Sequence, residues 1–422
     1  MQTLNTVNSF SNRNKAALLA PAKLTFAEQT SWFYCLLMGL YLFTIPSLSQ
    51  AEATAAASKY FGYAVSIVIL LKFFTKGFVI TKEVICFGAW LLWSLTGIMV
   101  AVSMYVFGTS FFRMFQFFVL FMLILRVADN FKNLKLISIL FFLGFVEAVI
   151  YTFLSGDFLL GTETGERITG VSSNPNGLAI IIQHMLILQL AFFELSKKKW
   201  IKIFMLALLP FQAKLIFATG SKKGLIFFIF ILLVWYAVFH WKDIVKRPLL
   251  FLFLLAGGLV FIAWMSSAIA DTIVGKRMRM FLETAETGGG AGEQARIGLV
   301  KEGFRVFSEH PLIGVGLNQF GFNNKFGIYA HNTYIELLTN GGLIGFVLMM
   351  AVFVILALKG FKNRMSNIPE VAIVSKMVIV FFAYAALISL VAPLFFSHYH
   401  WVVLGLIAAF YETARRKGIL RD

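Results

Sequence analysis

Three stretches of this chain concentrate the side chains that could carry chemistry. The first, ERITGVSSNPNG, holds Arg167, Asn174 and Asn176; the second, TGSKKG, holds Ser221, Lys222 and Lys223; the third runs from Arg296 to His331 and Asn332. Guanidinium and ammonium groups make charge-assisted hydrogen bonds to phosphate oxygens, so these cations suit a phosphate or diphosphate headgroup. The helix expected just after Ser221 and Lys222 adds backbone N–H donors for the same anion. An imidazole, with an ordinary pKa of about 6.5, takes a proton near working pH, which fits His331 as a general base. The chemistry allowed is attack by a deprotonated hydroxyl on a diphosphate-activated group. Diphosphate leaves readily, so cations suffice to stabilise it and no general acid is required.

Each of these residues also has a structural reading. His331 and Asn332 can cap a helix, since Asn is a favoured N-cap. Lys222 and Lys223 can snorkel at an interface, Arg167 can pair with Glu163 or Glu166, and Arg296 can sit on a solvated helix face. His310 precedes a turn, while His398 and His400 flank Tyr399 in what reads as a short loop, and all three are taken as structural. Glu147 and Lys214 fall inside apolar segments, where charge is costly unless paired or functional. They can pair with each other or line a groove, and His184 shares the ambiguity. There is no D-x-D, no H-x-x-x-H and no cysteine pair, so no metal and no cofactor are expected. A Walker A sequence is absent as well, and Gly314 and Gly316 lack the G-x-G-x-x-G spacing. Cys35 and Cys86 match no disulfide or metal pattern.

The elements that must position these groups are membrane helices. The chain has 422 residues, 59% of them hydrophobic and 14% charged, and a mean hydropathy of +0.82, far from the composition of a water-soluble domain. Apolar runs long enough to cross a bilayer predict an all-α polytopic protein with twelve spans, near 31–49, 60–75, 84–106, 110–126, 136–155, 175–195, 201–218, 224–240, 248–268, 332–358, 375–396 and 399–414. The formal net charge of +17 raises the question of nucleic acid. Lys and Arg recur at alternate connections, from Arg13 and Lys15 through Lys197–Lys199 to Arg415–Lys417, as the positive-inside rule requires. Topology therefore accounts for the basicity, no nucleic-acid partner is expected, and both termini are expected in the cytoplasm. No cleavable signal is expected, because the stretch before Ser31 is polar and the first apolar run is long enough to span.

The expected layout is a cytoplasmic tail over 1–30, spans one to nine over 31–268, a large outside loop over 269–331, spans ten to twelve over 332–414 and a cytoplasmic tail over 415–422. Long loops in compact proteins are usually functional or disordered. In this one TGGGAGE reads as flexible, and ARIGLVKEGFRVFS reads as a helix on the membrane surface, with Ile297, Val300, Phe304 and Phe307 at helical spacing. Pro311, Gly314 and Gly316 then turn the chain back towards His331. No internal repeat is visible.

Taken in order, these segments resemble the O-antigen ligase and polymerase superfamily, whose members handle undecaprenyl-diphosphate-linked glycans at the outer face of the bacterial inner membrane. The resemblance spans roughly 165–346. In HNTYIELLTNGGLIG, His331 and Asn332 are followed at the family's spacing by Gly342 and Gly345; ARIGLVKEGFRVFSEHPLIGVG is similar to its Arg-led helix and H-P-x-x-G-x-G turn. RITGVSSNPNG and TGSKKGL resemble two further segments, although Lys222 stands where the family usually has arginine, keeping the charge but losing the bidentate fork. The resemblance implies that His331 activates the acceptor hydroxyl while Arg296 and Lys222 hold the diphosphate. Arg167, Asn174, Asn176, Ser221, Lys223 and Asn332 would contact substrate. It further implies metal-independent, inverting transfer in a fold similar to GT-C membrane glycosyltransferases, with membrane lipid around it. The acceptor is lipid A-core for a ligase, another lipid-linked glycan for a polymerase and a protein hydroxyl for an O-oligosaccharyltransferase. A transporter of lipid-linked glycans, using Glu147 and Lys214, is the alternative outside catalysis.

Overall fold

The computed structural model describes residues 30–50, 52–74, 77–155, 167–172, 174–246 and 291–420. Helices account for most of them: α1 (Trp32–Thr44), α2 (Glu52–Phe73), α3 (Lys82–Ser94), α4 (Met104–Val127), α5 (Phe131–Leu154), α6 (Pro175–Leu195), α7 (Lys199–Ala218), α8 (Lys222–Lys246), α9 (Ala291–Glu309), α10 (Thr333–Asn363), α11 (Pro369–Ile388) and α12 (His398–Arg416). Among the described residues, nine helices are long and apolar enough to cross a membrane, so the chain is a polytopic, all-helical membrane protein. The expected ninth span, 248–268, lies outside the described residues. α1 is too short to be one of the nine, because its 13 residues end just before Pro46.

Local chemistry sets the helix starts. Thr81, Ser103, Asn130, Asn174 and Asn332 each cap the following helix with a side-chain oxygen, satisfying an N–H that has no partner within the helix. Pro175 and Pro369 occupy first-turn positions, where a missing N–H costs nothing. The bundle is wound around α12, in which every residue from Tyr399 to Ala414 is buried. Trp401 of this helix stacks on Phe87 of α3 with centroids 4.2 Å apart.

Several boundaries differ from expectation; the eleventh span, expected at 375–396, is found at Pro369–Ile388. The predicted third and fourth spans, 84–106 and 110–126, are divided earlier: α3 passes into a 3-10 turn at Leu95–Met99, and α4 begins at Met104. A distant residue makes this break, since Gln319 accepts from the Ser103 N–H at 2.8 Å and donates to the Ser103 carbonyl at 3.2 Å. The second span starts at Glu52 rather than 60, carried by its alanine run.

The bundle has two chemically distinct ends. At one, Thr30 donates to Asp129, Thr413 donates to the Ala128 carbonyl, Glu412 pairs with Arg415 and Arg416, and the fully buried Glu83 carboxylate meets Lys359 at 2.8 Å. The first and last described residues therefore lie together there. The opposite end gathers the starts of α4, α6, α8, α10 and α12.

Candidate active site

At this second end the three segments singled out from sequence are joined by hydrogen bonds. Arg167 donates from Nε to the Thr219 carbonyl at 2.8 Å, and the neighbouring Ile168 N–H donates to the Ala218 carbonyl, so Arg167 and Ile168 dock on the end of α7. Glu163 and Glu166 lie outside the described residues. Asn174 caps α6 by accepting from the Asn176 N–H at 2.8 Å, and Asn176 Oδ1 accepts from the Ser221 hydroxyl at 2.8 Å. Ser221 Oγ also accepts from the Gly224 N–H, starting α8. Lys223 reaches across to donate to the Val391 carbonyl at 3.0 Å, in the turn between α11 and α12. Thr333 stitches that same turn to α10: its N–H donates to the Ser389 carbonyl, its hydroxyl donates to Ala392 and accepts from the Leu394 N–H.

His331 stands immediately ahead of this stitch. Its φ of +54° is in the left-handed region, uncommon for any residue but glycine. The imidazole lies against the Tyr329 ring, with centroids 3.9 Å apart. Its pKa is held below the ordinary histidine value, first by burial and then by the positive charges of Lys223 and Arg296. The charges of Arg296 and Arg167 in turn bear on Lys223. One imidazole and three cations from three segments thus share one electrostatic neighbourhood. Of the two lysines, Lys223 is the one whose charge reaches His331; Lys222, which the resemblance placed in the arginine's role, occupies the first position of α8.

The frame under His331 is a broken helix. At Gly342 the backbone of α10 turns to φ 62°, ψ −165°, a conformation essentially confined to glycine. The carbonyls freed by the break are taken by the returning loop: Val315 N–H donates to Thr339 at 2.8 Å and Gly316 N–H to Asn340 at 3.1 Å. Trp93 Nε1 donates to the Gly341 carbonyl at 2.9 Å. The H-P-x-x-G-x-G turn is therefore a plug in the break, and the exposed side chain of His310 takes no part in it.

A family model described as O-antigen ligase matches residues 203–350. Over this stretch, about a third of the chain, the protein is similar to the O-antigen ligase family. No curated protein matches the chain. The matched stretch runs from within α7 into α10 and contains Ser221, Lys222, Lys223, Arg296, His331 and Asn332, while Arg167, Asn174 and Asn176 are brought to it from outside.

Several assignments change in the folded chain. Asn332 accepts from the Tyr334 and Ile335 N–H groups at 2.9 and 3.1 Å, so its side-chain oxygen is committed to the cap. His398 and His400 are not in a loop: they open α12, with His398 edge-on to Phe117, and His400 stacked on Phe381 and 3.4 Å from His184. Their structural role stands, and His184 joins it. Glu147 forms no ion pair among the described residues, and one of its oxygens is buried without a hydrogen-bond partner. On α9 the face packed against the protein is Leu299, Gly303 and Val306, whereas Ile297 and Phe304 of the stripe read from sequence are exposed. Two neighbours of His331 escaped the sequence reading. Tyr329 is one; the other is Glu336, fully buried, whose Oε1 accepts from the Ala330 N–H at 2.5 Å. No group of three or more His, Cys, Asp or Glu side chains able to hold a metal occurs among the described residues.

Proposed function

We propose that this protein is an integral membrane glycosyltransferase that moves a glycan from an undecaprenyl-diphosphate carrier to an acceptor hydroxyl at the outer face of the bacterial inner membrane. One observation carries this reading: the charges of Lys223 and Arg296 converge on the imidazole of His331. His331, kept neutral, accepts the proton of the acceptor hydroxyl as its oxygen attacks the anomeric carbon. The bond from that carbon to the diphosphate breaks, and the electron pair leaves with the carrier, stabilised by Arg296, Lys223 and Arg167 with Lys222 alongside. Displacement from the face opposite the leaving group inverts the anomeric centre. Within this reading the end bearing His331 faces outward, 269–331 is the outer loop, the exposed Ile297 and Phe304 of α9 rest on the lipid surface, and the helices form a GT-C-like arrangement.

The acceptor is lipid A-core in the ligase form we place first, and the end of a second lipid-linked glycan in the polymerase form, which the same similarity supports. His331→Ala should cut transfer to a small residual rate while leaving protein level and export of the lipid-linked donor intact. Undiminished product from that variant refutes the enzyme reading. In a deletion strain, long chains left on the lipid carrier identify the ligase form, and single repeats on the final acceptor identify the polymerase form.

A further inference from the structure

Glu336 has no role in the chemistry above, yet it is buried completely beside the proposed base. Its side chain serves more than the helix that carries it: besides Asn340, one turn along α10, it engages a residue ahead of the helix. The start of α10 is already capped by Asn332, and Glu336 reaches past the cap to the N–H of Ala330 at 2.5 Å. Its own backbone N–H donates to the Asn332 carbonyl at 3.0 Å. The residues on both sides of His331 are thus tied to a single glutamate, and His331 is the bend between the two ties, at φ +54°. Ala330 is itself buried, packed with Leu299, Val306, Val315, Phe320 and Ile335 beneath α9, so no solvent stands ready to replace the carboxylate at its N–H. The second carboxylate oxygen is buried with no well-formed hydrogen bond, a cost that the neighbouring Asn340 side chain only partly offsets.

We propose that Glu336 is a positioning residue for His331: by tethering Ala330 it holds residue 331 in the left-handed conformation that sets the imidazole against Tyr329 and beside Lys223 and Arg296. This rests on the reading of His331 as the base. The tether needs an acceptor oxygen at the right reach, and the negative charge is incidental. Glu336→Gln keeps an oxygen there, Glu336→Leu removes it, and Glu336→Asp retracts it.

The full-length protein in lipid nanodiscs, supplied with polyprenyl-diphosphate-linked glycan and acceptor, provides the test. Glu336→Leu and Glu336→Asp should lower kcat by about a hundredfold, the scale on which misplacing a reacting group acts, with the donor KM unchanged; Glu336→Gln should keep most of the rate. In a His331→Ala background Glu336→Leu should add no further loss, since the two residues act as one unit. A readout that does not use activity is labelling by diethyl pyrocarbonate, followed at His331 by mass spectrometry with the exposed His310 as internal reference. The Leu and Asp variants should change the His331 rate several-fold, and the Gln variant should not. Wild-type kcat and wild-type labelling in Glu336→Asp, or losses that multiply in the double variant, overturn the proposal. Full activity in His331→Ala refutes the base assignment instead, and the labelling arm still decides whether Glu336 holds the imidazole in place.

Discussion

Gly342→Ala tests the frame on which the site is hung. A Cβ at this position would lie 2.2 Å from the Leu312 carbonyl oxygen and 2.3 Å from its carbon, both backbone atoms that cannot swing aside. The φ of 62° with ψ −165° adds a conformational cost of about 1–3 kcal/mol for a residue other than glycine. Relief requires the 311–316 turn to withdraw, which breaks the bonds from Leu343 N–H to Pro311 (2.8 Å), from Val315 N–H to Thr339 (2.8 Å) and from Gly316 N–H to Asn340 (3.1 Å). At about 1 kcal/mol net for each bond, the expected total is about 4–6 kcal/mol. The loss should be read as accelerated amide hydrogen exchange at Val315 and Gly316 together with a lowered apparent Tm in detergent. Gly345→Ala is the control: its Cβ would meet the Trp93 ring at 3.2 Å, a side chain able to give, and the cost should stay within about 1.5 kcal/mol. If Gly342→Ala exchanges and melts like the wild type, the account of the helix break is wrong.

Transfer should rise with pH and level off, the rising limb lying below the ordinary histidine value, because the neutral imidazole is the reactive form and burial, Lys223 and Arg296 all favour it. Lys223→Met should move that limb upward; a limb that stays put or moves down removes Lys223 from the neighbourhood of the base. At the other end of the bundle, Lys359→Met strips the partner from the fully buried Glu83 carboxylate and should cost about 2–4 kcal/mol, with most of the thermal stability restored by adding Glu83→Gln. Equal stability of the single and double variants would mean that the ion pair contributes little.

Most of the helices, and the three segments that meet at one end of the bundle, were legible in the sequence because both follow from local rules: apolar length for a helix, residue type and spacing for a candidate site. What escaped depended on partners far along the chain. Nothing near Ser103 indicates that α4 starts there, since Gln319 ends the preceding turn. The choice between Lys222 and Lys223 is a rotation of about 100° about the α8 axis, set by Val391 in a turn 168 positions away. Glu336 gave no signal because a capping box places its acidic residue three positions after the cap, and this one comes four after Asn332 and reaches beyond it. His398 and His400 read as loop residues because the pattern of HYHW is polar; burial of α12 from Tyr399 to Ala414 within the bundle places His400 inside and His398 at its half-buried start.

The placement of cations around His331 also bears on when the base becomes strong. In the free protein Lys223 and Arg296 hold the imidazole neutral at the expense of its basicity. The groups that depress it are those proposed to hold the diphosphate. A bound diphosphate neutralises their charge, so their effect on His331 is cancelled and its affinity for a proton rises while the donor is in place. Basicity thus increases at the moment an acceptor hydroxyl must be deprotonated and falls again when the carrier diphosphate leaves, which disfavours activation of water in the empty site. Burial, the larger cause of the depression, is unaffected by this cycle and keeps the base from being protonated by solvent between turnovers. The consequence is measurable, because kcat reports the donor complex and kcat/KM the free protein: the acid limb of kcat should stand at higher pH than that of kcat/KM for the donor, and the separation should shrink in Lys223→Met, where one of the two charges to be neutralised is already gone.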